Sequence, residues 1–596
     1  MHLQTHDARS ASNDALALGV SLLASLVLYG LFLRHGVAPA VVGYNLVPSE
    51  RVLGGEAPYR DFLYNYTPGT PWVNAVLFKV LGISLFTARI GVLAAKAVTA
   101  LLLFLVARRY VSPALAVLTV AMMVAWVGYG DILKVFPTQY GMPLLLGSCL
   151  ALLRAQESEG RSSRVWFIVS GLMAGGVFVF KHNVGVFVLL ALIGSAAACA
   201  NSNHGRNWKA LLIGEGLAIL GFLIVAGAAC LFLSARHALL PMLAHFVHHA
   251  SVYGEAKGIA LPPPRVLLPF IVAAALLWAA GVVFTRMAPG AKHLYLVGAL
   301  VLLLAVVIVG DAAPGGAIFR SMVANVYYLP IYFTAAGAIW AVILYRREKR
   351  PEFARAVTLA SFALAAFLEI FPRSDPDHLV RVIPPSLLLM CAMLVKREQD
   401  NVSDRGTPAP PRKGGSATRS RAAGLGVPLF VAGVCALVIA LGIRVTWAPQ
   451  FVHGLEFRTS APLLFDRGSG VSDTPQEAAR LNGVVNFIQN NTVPGDPILA
   501  VSRKMTSLYF FAARPNITRL LWLDSAGILS DERDGIHRMI GDHRFKLVVV
   551  GGDQGGSDPS EGDAAEDEDT RTIRFVRENY HVEVIINGVS VFAPNP

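Results

Sequence analysis

The residues best suited to chemistry outside a membrane lie in one short stretch, GGEAPYRDFLYNYTPGTP at 54–71. It carries two acids, the single arginine Arg60 and three tyrosines, Tyr59, Tyr64 and Tyr66, and its Pro and Gly content excludes a long helix. Aromatic rings beside charged groups in a loop are suited to a cleft that stacks on sugar rings or packs against a lipid. The alternative is a packed loop at the membrane interface, where an aromatic belt also concentrates tyrosine.

A second polar site interrupts an apolar hairpin. Lys181 and His182 lie within GGVFVFKHNVGVF. A lysine at the centre of the bilayer costs about 2.5–3.5 kcal/mol on insertion scales, so we expect a partner that offsets this cost. A lipid phosphate at the outer boundary is one such partner, and snorkelling towards the head groups is the alternative.

A third polar group lies in FPRSDPDHLVRVIPP, between two apolar runs. It consists of Arg373, Asp375, His378 and Arg381. If a helix begins near Pro376, then His378 and Arg381 lie one turn apart and face one phosphate together. The alternative is an ion-paired loop that only joins two helices.

These residues interrupt a chain with the composition of a polytopic membrane protein. Of its 596 residues, 54% are hydrophobic and 15% are charged, whereas soluble domains carry about 25% charged residues. The net charge of +12 arises from Lys and Arg at the ends of apolar runs, so we expect no nucleic-acid partner. The five cysteines lack metal-ligand spacing, and His245 and His249 alone support a metal weakly. We therefore expect no metal and no cofactor.

Apolar runs of membrane-spanning length, about 17–25 residues, recur along the chain. They predict about thirteen helices, near 15–33, 88–107, 112–128, 140–154, 165–180, 184–200, 210–233, 266–285, 294–310, 326–345, 355–371, 380–395 and 424–445. The basic, Pro/Gly-rich segment 396–423 predicts a flexible cytoplasmic linker. Residues 1–395 would then form the main transmembrane domain, and 424–445 the last span.

The distribution of Lys and Arg predicts the orientation. The connections that contain Arg108 and Arg109, residues 154–164, 206–209 and 346–350 are rich in Lys and Arg. The connections on the opposite side carry fewer Lys and Arg residues, and Arg320 is one of these. Because basic loops stay in the cytoplasm, the N-terminus is inside and loop 34–87 is outside.

The tail, 446–596, differs in composition and predicts an extracytoplasmic α/β domain. A helix over 474–491 with Thr474 as N-cap, strands at 496–501 and 545–552, and a hairpin at Asn587-Gly588 are expected. A further helix near 570–579 follows the acidic stretch 558–570, which predicts a disordered insertion.

The segment GGEAPYRDFLYNYTPGTPWVNAVLFKVLGISLFTARIGVL resembles the first external loop of bacterial GT-C glycosyltransferases. These polytopic enzymes are related to protein mannosyltransferases and to lipid A aminoarabinose transferase. The shared pattern is a Gly, then PYRDF, a Pro-Gly, and an apolar stretch that ends in GIS and an Arg. The resemblance extends to the number of helices, to FFAARPN at 510–516 and to FPRSDPDHLVRVIPP at 371–385.

The resemblance implies that a sugar moves, with inversion, from a polyprenyl phosphate to an acceptor on the outer face. An external acid would take the proton of the acceptor hydroxyl. Many relatives carry an Asp upstream of the PYRDF-like segment, but VAPAVVGYNLVPSERVLGG has none, and its first acid is Glu50. We expect Asp61 to be the base, or Glu50 in its place, unless Asp61 only pairs with Arg60 or caps a helix. The resemblance implies a second external acid, Asp131, which otherwise caps a helix or pairs with Lys134.

The sequence thus predicts an α-helical polytopic glycosyltransferase of a bacterial plasma membrane with a C-terminal α/β domain. Its expected partners are the polyprenyl-phosphate sugar, membrane lipid, and a glycan, lipid or protein acceptor. The alternative is a non-catalytic flippase or transporter of lipid-linked sugars. Substrate contacts are expected from Tyr59, Arg60, Tyr64, Tyr66, Lys181, His182, Arg320, Arg373, Asp375, His378 and Arg381.

Overall fold

A computed structural model describes residues 2–127, 134–202, 208–257, 264–287, 292–310, 316–370, 376–403, 432–447, 460–521, 523, 530–551 and 564–596. Helices dominate the chain up to residue 447, and a small mixed α/β region follows. The helices of the first part are α1 His2–Gly30, α2 Pro39–Leu53, α3 Gly69–Leu81, α4 Leu85–Ala107, α5 Pro113–Val127, α6 Pro137–Glu157, α7 Gly160–Phe180, α8 His182–Ser202, α9 Trp208–Ala235, α10 Leu239–Lys257, α11 Pro264–Met287, α12 Lys292–Val309, α13 Gly316–Tyr327, α14 Leu329–Arg346, α15 Arg350–Phe367, α16 Pro376–Ser403 and α17 Ala432–Trp447.

Among the described residues, seven helical segments are long and apolar enough to span a membrane. They lie in α1, α4, α7, α8, α9 and α14, with the seventh at Glu352–Ile370. Five shorter apolar segments lie in α5, α11, α12, α16 and α17. The predicted multi-pass helical fold is confirmed, whereas the count of about thirteen spans stays a prediction.

Small residues let the membrane helices pack closely. α7 packs against α6 and α9. A Cβ added to Gly171 of α7 would lie 1.9 Å from the carbonyl oxygen of Ala218 in α9, and one added to Gly221 would lie 2.4 Å from that of Ile168. Helices in lipid associate through such close backbone packing, so larger side chains at these glycines would force α7 and α9 apart.

The opening loop, which comprises residues 54–68, is held between two short helices. α2 and α3 flank residues 54–68, and Ser84 caps α4 by accepting a hydrogen bond from the Thr87 amide at 3.0 Å. This cap starts α4 three residues before the predicted position of 88. The loop is therefore fixed on both sides by helices before the first long membrane helix that follows it.

The C-terminal region contains helices α18 Pro475–Asn491, α19 Ser507–Phe511, α20 Ser530–Gly541 and α21 Ala564–Asn579. Its main sheet has the order β3-β4-β6-β5, formed by Ile498–Ala500, Leu547–Val550, Val589–Pro594 and Tyr580–Ile586. β3 and β4 are parallel and the other pairs are antiparallel. A separate ladder pairs β1 Ala461–Pro462 with β2 Ser472–Asp473.

Local signals in this region are confirmed. The Thr474 side chain caps α18 by accepting from the Glu477 amide at 3.3 Å. Asn587 and Gly588 join β5 to β6 with φ values of 47° and 80°, the left-handed pair that a two-residue hairpin turn requires.

Two boundary predictions are wrong. α16 runs to Ser403, so the first residues of the predicted flexible linker 396–423 are helical, because KREQ consists of good helix formers. Residues 404–431 lie outside the described part of the chain, including the start of the predicted span 424–445. α21 begins at Ala564, so residues 564–570 of the predicted disordered stretch are helical. Acidic side chains near the N-terminus of a helix interact favourably with the positive end of its dipole. The acidic residues of this stretch therefore explain why α21 begins earlier than predicted.

Candidate functional site

A small cavity, named the membrane cavity, lies among helices α4, α5, α6 and α16. Its lining is Lys96, Thr99, Met123, Val127, Thr138, Gln139, Met142, Arg381 and Pro384. The polar members Lys96, Thr99, Thr138, Gln139 and Arg381 are all more than nine-tenths buried. Charged groups inside a helix bundle are costly and usually mark a ligand or ion path, and this cavity holds two cations.

A buried ion pair adjoins the cavity. The Lys181 Nζ donates to Glu369 Oε1 at 2.9 Å, and the Thr138 hydroxyl donates to the same oxygen. The side chains of Lys181 and Glu369 are 12% and 7% exposed. Lys181 is therefore paired inside the protein rather than extended towards head groups. Because Thr138 also lines the cavity, the pair lies one side chain away from it.

Sequence reasoning missed Lys96, Gln139 and Glu369. Glu369 lies in LEIF at the end of an apolar run, and Lys96 lies in the middle of one. A charged residue within a membrane-length apolar run was the available signal for both. Its meaning depends on partners that are distant in the sequence, since Lys181 and Glu369 are 188 positions apart.

The opening loop reaches this pair through Tyr66. The Lys181 ammonium lies 5.4 Å from the centroid of the Tyr66 ring, within the range of a cation–π contact. The Thr67 hydroxyl donates to the Phe178 carbonyl at 2.7 Å and fixes the loop against the end of α7. The structure thus brings together two of the predicted site residues, Tyr66 and Lys181.

Tyr59 and Tyr64 have a different environment. Both are fully buried. The Tyr64 hydroxyl donates to Asn45 Oδ1 at 2.9 Å, and its ring stacks on Tyr44 at 5.2 Å. Tyr59 has a positive φ of 67°, and its hydroxyl donates to the Tyr66 carbonyl. In this conformation both rings shape the loop from within, and Tyr66 is the tyrosine of the three that keeps exposed surface.

Asp61 is engaged by its own loop. Its carboxylate accepts from the Ala57 amide at 2.7 Å and from two nitrogens of Arg60, at 2.8 and 2.7 Å. The hydrogen bond with Arg60 is the main cause that lowers the pKa of Asp61. Arg60 also donates to the Arg236 carbonyl at 3.2 Å. A lowered pKa weakens a carboxylate as a proton acceptor.

Glu50 joins the membrane region to the C-terminal region. Arg467 contacts both of its carboxylate oxygens, at 2.7 and 2.5 Å, and also donates to the Phe510 carbonyl at 2.7 Å. Two neighbouring contacts strengthen this junction: Arg51 donates to the Thr518 carbonyl, and the Leu63 amide donates to the Arg519 carbonyl, both at 2.8 Å. Glu50 therefore has an evident structural role.

Of the other predicted residues that the structure describes, only Arg381 lines the cavity. The His182 ring stacks on Phe246 at 4.0 Å. His378 lies one turn before Arg381 on α16, and the Arg381 guanidinium lies 4.3 Å from the Phe136 ring. Arg320 lies on the exposed side of α13 and does not line the cavity. Asp131, Arg373 and Asp375 lie outside the described residues.

Comparisons with known proteins agree with this architecture. Residues 65–230 match the family model described as dolichyl-phosphate-mannose-protein mannosyltransferase. The structure of ArnT from Cupriavidus metallidurans bound to undecaprenyl phosphate aligns over 98% of this chain and 99% of its own, with 14% identity and a TM-score of 0.52. The archaeal oligosaccharyltransferase AglB from Archaeoglobus fulgidus, in complex with an inhibitory peptide and a dolichol phosphate, has 11% identity over 90% of this chain and 69% of its own.

The alignment with AglB has a TM-score of 0.46. No curated protein matches the chain. The predicted resemblance to the GT-C membrane glycosyltransferases is confirmed at the level of the fold, since the chain aligns with ArnT over nearly its whole length and residues 65–230 match the family model.

Proposed function

We propose that this protein is a membrane glycosyltransferase that moves a sugar from a polyprenyl-phosphate donor to an acceptor outside the membrane. The observation that carries the proposal is the buried cavity with Lys96 and Arg381, next to Lys181, which contacts Tyr66 of the opening loop. The GT-C glycosyltransferase fold and the family match over residues 65–230 support the same reaction class.

The cations that line the cavity are suited to a leaving phosphate, for which the cavity would have to widen, because it now has room for little more than one water. When the bond between sugar and phosphate breaks, negative charge develops on the phosphate oxygens. Arg381 and Lys96 would donate charge-assisted hydrogen bonds to these oxygens. Such donors act strongly in a buried site, because little water competes with them and they are already in place.

Lys181 would serve as a third cation that Glu369 keeps in position. The Glu369 carboxylate balances the Lys181 ammonium in the absence of ligand. A phosphate beside Thr138 would bring a second anion to the same ammonium, so Lys181 would contribute to the field around the leaving group. The Tyr66 ring, in contact with Lys181, would cover the donor from the side of the loop.

The transfer requires a base, because a hydroxyl is a poor nucleophile until its proton is removed. Direct attack of that hydroxyl on the sugar carbon inverts its configuration. Asp61, Asp131 and Glu50 stay the proposed candidates. The contacts of Asp61 with Arg60 and of Glu50 with Arg467 must loosen before either could take a proton, which is a reason to test Asp131 beside them.

The central test is transfer by purified protein. The protein is incubated with a panel of radiolabelled polyprenyl-phosphate sugars and a membrane extract as acceptor, and the label lost from the lipid is counted. Arg381→Gln should lower the rate by about 10²-fold, the usual effect of removing one donor to a developing oxyanion. Arg164→Gln, at the exposed start of α7, is the matched control and should leave the rate unchanged.

Two outcomes would overturn the proposal: no label leaves any donor lipid, or Arg381→Gln transfers as fast as Arg164→Gln. The base is identified with Asp61→Asn, Asp131→Asn and Glu50→Gln, since removal of a general base costs about 10²–10⁴-fold in rate. If all three variants remain fully active, the proposed carboxylate base is wrong.

We also propose an extracytoplasmic C-terminal region and a reaction without a metal cofactor. The contacts of residues 50–63 with residues 467–519 support a C-terminal region on the same side of the membrane as the opening loop. An alkaline phosphatase fusion to the C-terminus should be active in a bacterial host, and activity of a cytoplasmic reporter alone would contradict the orientation. Transfer should continue in a chelator, and its loss with recovery on adding a divalent cation would contradict the absence of a metal.

A further inference from the structure

A second cavity lies in the C-terminal region, between α20 and α21. It is lined by Leu523, Arg533, Asp534, Ile536, His537, Arg571 and Thr572. The proposed transfer reaction makes no use of it, since its cations lie on helices that contribute nothing to the membrane cavity.

The lining is rich in cationic donors. Arg533 and Arg571 approach from opposite helices, with His537 beside them and a single carboxylate, that of Asp534, in the lining. The His537 ring is held in place by stacking on Phe575 at 5.0 Å and by a hydrogen bond between its Nε2 and the Thr572 hydroxyl at 3.2 Å.

The electrostatics of the group indicate that its positive charges oppose one another. Burial, followed by the charge of Arg571, lowers the pKa of Arg533. Burial, followed by the same charge, also lowers the pKa of His537. Holding like charges together in a partly buried place is unfavourable, and a bound anion would relieve it.

We propose that this cavity binds an oxyanion, either a phosphate or a carboxylate, carried by a ligand in the aqueous phase. Two arginines present planar donor forks that match the paired oxygens of both groups. Thr572 adds a hydroxyl, and Leu523 and Ile536 add apolar surface for the part of the ligand that carries the anion.

The position of the cavity connects it to the opening loop. Glu532, one residue before Arg533, pairs with Arg519 at 3.0 Å, and Arg519 donates to the Tyr59 carbonyl at 2.8 Å. A ligand bound between α20 and α21 would therefore lie against α20, which Arg519 links to the opening loop.

The test measures anion binding by the full-length protein in detergent, using isothermal titration calorimetry. The probes are inorganic phosphate, glucuronate as the carboxylate, and glucose as the neutral control. We expect binding of phosphate, glucuronate or both, and none of glucose. Arg533→Gln and Arg571→Gln should each weaken binding about tenfold or more, because each removes a charged donor.

Matched controls are present on the same helices. Arg538→Gln on α20 and Arg577→Gln on α21 remove exposed arginines that do not line the cavity, and they should bind as wild type. Arg381→Gln separates this cavity from the membrane cavity, where phosphate could also bind, because Arg381 lines the membrane cavity and does not line this one. Binding that survives Arg381→Gln and is lost in Arg571→Gln belongs to the C-terminal region.

Three results would overturn the proposal. One is no binding of either anion at about 10 mM, where a Kd of 1 mM would give near saturation. Another is equal affinity in Arg571→Gln and Arg577→Gln, compared in protein that keeps the wild-type thermal transition. The last is binding that disappears in Arg381→Gln and persists in Arg571→Gln, which would assign the anion to the membrane cavity. Arg571 is exposed, so its substitution should not prevent folding.

Discussion

Removal of Glu369 from its pair with Lys181 should destabilise the protein strongly. At their separation of 2.9 Å and an effective dielectric constant of about 20, the attraction between the charges is about 6 kcal/mol. Desolvation offsets much of this attraction while the pair is intact. Glu369→Gln keeps the desolvation of Lys181 and removes its partner, so we expect a loss of about 3–5 kcal/mol in unfolding free energy.

The assay is equilibrium unfolding in mixed detergent micelles, arranged as a double-mutant cycle. Lys181→Gln should also destabilise. The double variant should lose less than the sum of the two single variants, by up to about 3 kcal/mol. Arg108 and Asp14 form a control pair at the same 2.9 Å separation, with side chains 24% and 36% exposed. Asp14→Asn should cost at most about 1 kcal/mol.

If Glu369→Gln loses no more unfolding free energy than Asp14→Asn, burial does not strengthen the pair of Lys181 and Glu369. Strictly additive losses in the cycle would refute the coupling of Lys181 with Glu369. Either result would also remove the argument that Glu369 positions Lys181 for a phosphate.

Three further predictions concern the loop and its junction with the C-terminal region. Arg467→Gln should speed proteolytic release of the C-terminal region, because it removes both contacts with Glu50. The control Arg480→Gln should not, because the partner of Arg480 lies within α18. Equal release rates of the two variants in limited proteolysis would contradict this prediction. The pKa of Asp61 is lowered in the folded protein, so its ionised carboxylate stabilises the fold fully above the ordinary pKa of about 3.9, and this contribution is lost as pH falls below that value. In Asp61→Asn the Tm should therefore fall less on acidification than in the wild type. Burial lowers the pKa of His245 to about 4, so the stability linked to this neutral ring is complete above about pH 6.5 and falls as pH drops towards 4. His245→Asn should flatten the Tm profile in that range, and an unchanged profile would contradict the assignment.

Much of the fold follows from the sequence because its signals are local. Membrane-length apolar runs become helices, since a helix satisfies its own backbone hydrogen bonds in lipid. Thr474 and the pair Asn587-Gly588 act through contacts within a few residues, and their elements lie at the predicted positions. The PYRDF pattern likewise identified a loop that lies next to Lys181 through Tyr66.

The interior of the site could not be predicted in the same way, because its partners are distant in the sequence. Nothing in the residues around Lys181 indicates that its partner is Glu369, on a helix far along the chain. The burial of Tyr64 depends on Asn45 and Tyr44 from the preceding helix, so the composition of the loop cannot separate a packed tyrosine from an exposed one. The same limit applies to Glu50, whose contact with Arg467 spans 417 positions.

The most direct test of the transferase account is an experimental structure of the protein with a bound polyprenyl phosphate. The phosphate should lie in the membrane cavity, among α4, α5, α6 and α16. Its oxygens should be about 2.7–2.9 Å from nitrogens of Arg381 and Lys96, as in charge-assisted hydrogen bonds, with Lys181 as their nearest further cation. A phosphate held elsewhere, with Arg381 and Lys96 unchanged and out of contact with it, would contradict the account.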